Sequence, residues 1–357
     1  MKRNFTSKRI GVWSRFGKIA LGGCFFGILG LFSSIFAQET VKKTSEISQE
    51  VSREAFQKGT QEVSREITQK IQKVTEKPTA DILYYTETMP IVGDEVYARE
   101  RCRLDVYRPK NRLGTETDNE PENGTENETE NQAESVSQKV PVVVWFHGGG
   151  LSGGNRHIPG QFLNQKFLVV PVNYRLFPRA RCQEAIFDAA AAVAWVLENI
   201  SAYGGNPEKV CVAGHSAGGY LAAMVALDAR YLAKFGKSNM DIYASLPVSG
   251  QMTTHFQVVG ERRDATRTSG ANNPLQIDEM APLFYTTKPC PNMHLLVGDP
   301  KLEWQGRVEE NYLFAAMLRT IKGHKEVEIR SYDSTNHGTV AVPACEYIRD
   351  YVNQLGE

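Results

Sequence analysis

The chain has 357 residues, enough for one large domain or two small ones. Its 41 Lys and Arg balance 41 Asp and Glu, so the charge calls for neither nucleic acid nor an anionic membrane as partner. Six cysteines, at 24, 102, 182, 211, 290 and 345, show no Cys-x-x-Cys spacing, which argues against a zinc site or a dense disulfide framework.

Residues 1–18 carry Lys2, Arg3, Lys8, Arg9, Arg15 and Lys18 and no acid, and residues 19–37 then run without a charge. A basic start, an apolar run and a small residue, Ala37, follow the plan of a secretory signal peptide. The apolar run is also long enough to span a bilayer, so an N-terminal membrane anchor through residues 19–37 is the alternative. Either reading places the body of the protein outside the cytoplasm: periplasmic, secreted or membrane-anchored. A single disulfide is then permitted. Residues 38–78 are polar and read as a stalk or linker. Gln49–Glu54 recurs as Gln61–Glu66, and Val63, Ile67, Ile71 and Val74 fall at helical spacing.

The folded domain is expected over residues 79–357. Leu104–Pro109 reads as an alternating edge strand. An acidic, low-complexity insertion over 111–139 should be a solvated loop, with Asn123 and Asn127 in glycosylation sequons. Val140–Phe146 is continuously apolar, the mark of a central parallel strand. Further strands are expected at Phe167–Val172, Val210–Ala213, Tyr243–Ser249, His294–Val297 and Val327–Tyr332. Helices are expected at Glu184–Ile200, Tyr220–Leu227, Arg307–Thr320 and Pro343–Leu355. Strands alternating with helices predict an α/β fold, a mostly parallel central sheet with helices on both faces. Gln251–Pro274 fits neither strand nor helix and is expected to lie over the C-terminal edge of the sheet, where such folds place ligands.

Two motifs carry chemistry. Gly214-His215-Ser216-Ala217-Gly218-Gly219 stands between a strand and a helix, the layout of a nucleophile elbow. His147-Gly148-Gly149-Gly150 follows the central strand, and its glycines let backbone N–H groups approach a developing oxyanion. A serine hydroxyl needs a base, and the base needs an orienting acid. His337 follows the last strand and shares a face with Ser216, so it is the expected base. His147 and His215 are expected to be structural, and surface positions are the default for His157, His255 and His324. The acid should follow the preceding strand, in Gly298-Asp299-Pro300-Lys301-Leu302-Glu303. Asp299 is the expected acid and Glu303 the alternative. The oxyanion donors are expected from Gly148, Gly149 and Ala217.

These motifs, with Val172-Asn173-Tyr174-Arg175-Leu176, Asp188, Tyr203-Gly204-Gly205-Asn206-Pro207 and Asn336-His337-Gly338, resemble the hormone-sensitive-lipase-like α/β-hydrolases. The chain is also similar to bacterial esterases related to kynurenine formamidase. The resemblance spans most of residues 95–355. It implies Ser216, His337 and the amides of Gly148 and Gly149 as catalytic groups. It supports Asp299 through the family's Asp-Pro-Leu-x-Asp pattern, although this chain reads Asp-Pro-Lys-Leu-Glu.

The function expected is a serine hydrolase that cleaves small carboxylic esters through an acyl-enzyme, with no metal or cofactor. No long apolar lid is evident, which points to a short acyl group, and an acetylated carbohydrate would suit an exported enzyme. An arylformamidase or peptidase on the same triad is the alternative chemistry. A non-catalytic binding protein on a hydrolase scaffold is the alternative class.

Overall fold

Val140–Phe146 is buried at every position after the first, so both of its faces must be covered. Alternation along the strand divides it between two cores. Val142, Val144 and Phe146 join a large cluster on one side, while Val143 and Trp145 join a smaller one on the other. The chain is seen here as a computed structural model that describes residues 78–109, 139–162, 165–263, 275–304, 306–320, 324 and 326–357. All of these belong to one compact unit, Ile67–Glu357. The expected signal or anchor (1–37), the stalk up to residue 77 and the acidic insertion up to residue 138 lie outside the described residues.

Eight strands form one sheet: β1 (Thr79–Leu83), β2 (Arg103–Val106), β3 (Val140–Phe146), β4 (Leu168–Val172), β5 (Gly205–His215), β6 (Ala244–Val248), β7 (Asn292–Val297) and β8 (Val327–Ser331). Their order is β1-β2-β4-β3-β5-β6-β7-β8. The first two are antiparallel to their neighbours, and β3 to β8 run parallel. The C-terminal ends of the parallel strands therefore lie along one rim, and the loops that leave them share it.

The described α-helices are α1 (Glu95–Arg101), α2 (Cys182–Asn199), α3 (Ala217–Leu227), α4 (Ala229–Ala233), α5 (Phe256–Arg263), α6 (Arg307–Thr320) and α7 (Ala341–Gln354). Residues of α2, α3 and α6 fill the larger core, and Ala344, Cys345, Ile348 and Val352 of α7 fill the smaller one. All eleven residues of α3 are buried, so it is apolar all round. Cys182–Tyr203 is long and apolar enough to cross a membrane, but most of it is packed inside the core.

The expected strands and later helices are present, with ends displaced by a few residues. Strand β1 and the five-residue helix α4 were not expected from the sequence, and neither were two somewhat longer helices. One is α1, capped by Asp94, whose carboxylate accepts from the Tyr97 N–H. The other is α5, inside the stretch expected to be irregular. Its buried Val258 and Val259 pack toward the core and its basic Arg262 and Arg263 suit a helix C-terminus. The five described cysteines are buried, and no disulfide joins any of them.

Candidate active site

The chain turns from β5 into α3 over a single residue. That residue, Ser216, has φ 58° and ψ −117°, a strained conformation for a side chain other than glycine. Two glycines make the turn possible. A Cβ on Gly218 would sit 2.0 Å from the Phe146 carbonyl oxygen, and one on Gly214 would sit 2.6 Å from the backbone of Gly218. The Ser216 N–H donates to the Val248 carbonyl at 2.8 Å, tying the turn to the end of β6.

His337 lies in the loop after β8, with Nε2 2.9 Å from Ser216 Oγ. It is the one histidine in the described residues whose ring is hydrogen-bonded to that hydroxyl. His215 fixes the loop from beneath: its Nε2 lies 2.7 Å from the His337 carbonyl. A carbonyl only accepts, so His215 carries its proton on Nε2. Burial, and then the neighbouring His337, push the His215 pKa down to about 4, so its ring is neutral at pH 7.

The acid beside His337 is Glu303, whose Oε1 lies 2.8 Å from Nδ1. An ionised carboxylate only accepts, so Nδ1 donates to Glu303 and leaves Nε2 to accept from the Ser216 hydroxyl. Burial alone would raise the Glu303 pKa. Hydrogen bonds from His337, from Ser249 and from the Trp304 N–H outweigh it and bring the carboxyl down to about 2.

This corrects the expectation of Asp299. Its carboxylate is exposed and accepts from the N–H groups of Lys301 and Ser334, both at 2.9 Å. It thereby pins two loops together rather than meeting the imidazole. The Asp299 carbonyl accepts from the N–H groups of Leu302 and Glu303, closing a turn that sends Glu303 back inward. The missing side chain of Gly298 makes room, since a Cβ there would lie 3.1 Å from Glu303 Oε2.

Ser249 and Trp304 were not singled out by the sequence. Ser249 directly follows β6 on the same rim, at φ 46°, and its Oγ donates to Glu303 Oε2 at 2.6 Å while lying 3.0 Å from His337 Nδ1. Its carbonyl accepts from buried Arg307 at 2.8 Å, and Arg307 pairs with Glu310 at 3.1 Å. Trp304 lies flat on the His337 ring, with centroids 3.7 Å apart and planes 14° apart. Position along the chain was the available signal, because both residues lie in segments that follow strands on the catalytic rim.

The glycine loop packs against the nucleophile. A Cβ on Gly148 would lie 3.5 Å from that of Ser216 and 3.1 Å from the His215 carbonyl. Gly149, at φ 114°, accepts through its carbonyl from Ser152 and Gly153, and a Cβ there would meet the Gly153 oxygen at 2.2 Å. His147 stacks on Tyr174, and its Nδ1 donates to the Gly148 carbonyl at 2.7 Å. Ala217 opens α3, where the first backbone N–H groups have no intrahelical acceptor.

The other histidines lie elsewhere. His294 Nδ1 meets the Tyr347 hydroxyl, His324 sits beside Cys290, and His157 is exposed. His255 is fully buried against Tyr220 and Phe256, not at the surface as its place in the sequence suggested.

A family model described as BD-FAE matches residues 131–300. The chain is 33% identical over 168 residues to Secreted lipase 5 of Gibberella zeae, a match covering 40% of this chain and 30% of that protein. It is 42% identical over 100 residues to Carboxylesterase NlhH of Mycobacterium tuberculosis, covering 27% of this chain and 31% of the relative. The matched part thus spans less than a third of either curated relative. Among solved structures, a truncated carbohydrate esterase from gut microbiota superposes with TM-score 0.57 at 13% identity, covering 80% of this chain and 98% of that one. A Pyrobaculum calidifontis esterase superposes with TM-score 0.55 at 20% identity, covering 82% and 90%.

Proposed function

We propose that the chain is a hormone-sensitive-lipase-like α/β-hydrolase, an exported serine esterase acting on small carboxylic esters. The observation that carries this is the unbroken hydrogen-bonded line from Ser216 Oγ through His337 to Glu303. Nε2 of His337 takes the hydroxyl proton as Oγ attacks the ester carbonyl. The carbonyl oxygen becomes an oxyanion, received by the N–H groups of Gly148, Gly149 and Ala217. The tetrahedral intermediate then expels the alcohol, which collects its proton from Nε2. A water gives its proton to the same nitrogen and attacks the acyl-enzyme, releasing the acid and restoring Ser216. Glu303 holds the imidazole tautomer and balances the imidazolium formed in each half-reaction.

Within that chemistry we assign a short acyl group on a carbohydrate alcohol. The likeness to a carbohydrate esterase supports the alcohol. Export is supported by the basic start, by the charge-free run of residues 19–37 and by the match to a protein named a secreted lipase.

A fluorophosphonate probe should label the full-length chain at Ser216 and fail to label Ser216→Ala. p-Nitrophenyl acetate should be hydrolysed faster than the decanoate. An absence of labelling on folded protein would favour a binding role, and faster turnover of N-formyl aromatic amides or proline-containing peptides would move the activity to the amide bond.

A further inference from the structure

A half-exposed indole is an unusual neighbour for a buried acid–base pair. Trp304 is 49% exposed, yet one part of it covers the His337 imidazole. It follows directly on Glu303, so the chain that delivers the acid also delivers the aromatic ring. Phe256, at the start of α5, stands edge-on to it with centroids 6.2 Å apart. The same Phe256 ring reaches the glycine loop, since a Cβ on Gly150 would lie 3.4 Å from its Cζ. Trp304 and Phe256 thus make an aromatic wall from the glycine loop to the imidazole. Behind it, the Arg307 guanidinium lies 5.6 Å from the indole centroid, and Leu302, two residues before Trp304, is 53% exposed.

The chemistry decides which half of the substrate meets this wall. The group that protonates a leaving alcohol must lie within hydrogen-bond reach of its oxygen. Under the esterase reading, on which this inference rests, that group is Nε2 of His337. The alcohol therefore departs past the imidazole, and the ring stacked on that imidazole borders the alcohol, while the acyl group lies toward the nucleophile and the glycine amides. An indole with half its surface open offers a flat apolar face to whatever the alcohol oxygen is attached to.

We propose that Trp304, backed by Phe256, is the alcohol-side specificity residue, and that it selects ester substrates whose alcohol is a pyranose ring by stacking against the ring's C–H face. The wall gains little from a short acyclic alcohol, which does not reach across the indole. It gains most from a rigid ring, which is ordered at small entropic cost.

The test compares kcat/KM of the full-length enzyme on mono-O-acetylated methyl glucopyranosides, phenyl acetate and ethyl acetate, for the wild type and for Trp304→Leu and Trp304→Phe. Trp304→Leu should lower kcat/KM on the sugar acetates at least 10-fold more than on ethyl acetate, mainly through KM, and Trp304→Phe should recover part of that difference. Loss of the imidazole's cover acts on every substrate and cancels in the ratio. Equal losses on sugar and ethyl acetates overturn the proposal and leave Trp304 only a shield for His337. A selective loss confined to phenyl acetate also overturns it, in favour of an aryl alcohol. Fluorophosphonate labelling of Trp304→Leu at Ser216 reports separately on the esterase reading and on folding.

Discussion

Glu303 Oε1 lies 2.8 Å from His337 Nδ1, while its other oxygen receives the Ser249 hydroxyl at 2.6 Å. The carboxylate is therefore saturated from both sides, and its side chain is wholly shielded from solvent. Such a group can hold a charge only because its partners supply what water would. Glu303→Gln keeps the shape and removes the charge, and it presents an amide N–H to a ring nitrogen that must itself donate. We expect kcat to fall by about 10³–10⁴, the range seen when a triad acid is made an amide. Asp299→Asn, which alters only an exposed capping carboxylate, should stay within about 3-fold of wild type. Steady-state turnover of p-nitrophenyl acetate by both variants checks the assignment, and the opposite ranking would restore Asp299 as the acid.

Ser249 contributes one hydrogen bond to a charged acceptor, an interaction of about 1.5–3 kcal/mol. Ser249→Ala keeps a side chain of the same class at φ 46° and removes only the donor. Turnover should fall by about 10-fold or somewhat more, with KM nearly unchanged. Ser249→Thr tests the backbone as well, because a branched Cβ is poorly tolerated at positive φ, and it should lose stability as well as rate. Thermal melts alongside kinetics separate the two effects.

The parts of this site legible in the sequence are those fixed by backbone demands. Ser216 is flanked by glycines because a Cβ at Gly218 would strike the Phe146 carbonyl, and His337 was placed by the shared rim of parallel strands. The acid was harder to read because the loop after β7 offers two carboxylates four residues apart, and which one turns inward depends on a turn closed by the Asp299 carbonyl itself. Ser249 and Trp304 carry no motif. Their roles come from tertiary neighbours that periodicity does not report. Helix α5 was missed because eight residues with two adjacent valines give little helical period to detect.

Acid should destabilise the fold in two stages. Burial brings the pKa of His147 and of His215 from the ordinary 6.5 down to about 4, so the folded protein binds fewer protons than the unfolded chain between those values. Their contribution is complete above about pH 6.5 and is lost as pH falls toward 4. Glu303, held at about 2 rather than 4.5, contributes above about pH 4.5 and loses that contribution as pH falls toward 2. At about 1.4 kcal/mol per pH unit, Glu303 accounts for about 3 kcal/mol of acid sensitivity. Melting temperature measured from pH 8 to pH 3 should decline first between 6.5 and 4. In His215→Asn that first decline should be shallower. A flat profile down to pH 4 would contradict neutral burial of both rings.

Two glycine substitutions separate a backbone demand from a packing demand. At Gly236, φ is 68° and an added Cβ meets nothing within 4 Å, so Gly236→Ala costs only the left-handed conformation, about 1 kcal/mol. At Gly218 the conformation is helical and cheap for alanine, yet the Cβ would sit 2.0 Å from the Phe146 oxygen and 2.8 Å from that of His147. Neither atom belongs to a flexible side chain. Both lie where β3 runs into the glycine loop, so relieving the clash must push α3 away from β3 and carry Ser216 with it. Gly218→Ala should therefore lose more than about 3 kcal/mol of stability, or fold with a displaced elbow that resists fluorophosphonate labelling. Urea titrations of the two variants beside the wild type give the ranking. A Gly218→Ala enzyme with wild-type stability and labelling rate would mean that the contact between β3 and α3 is not what holds the nucleophile in place.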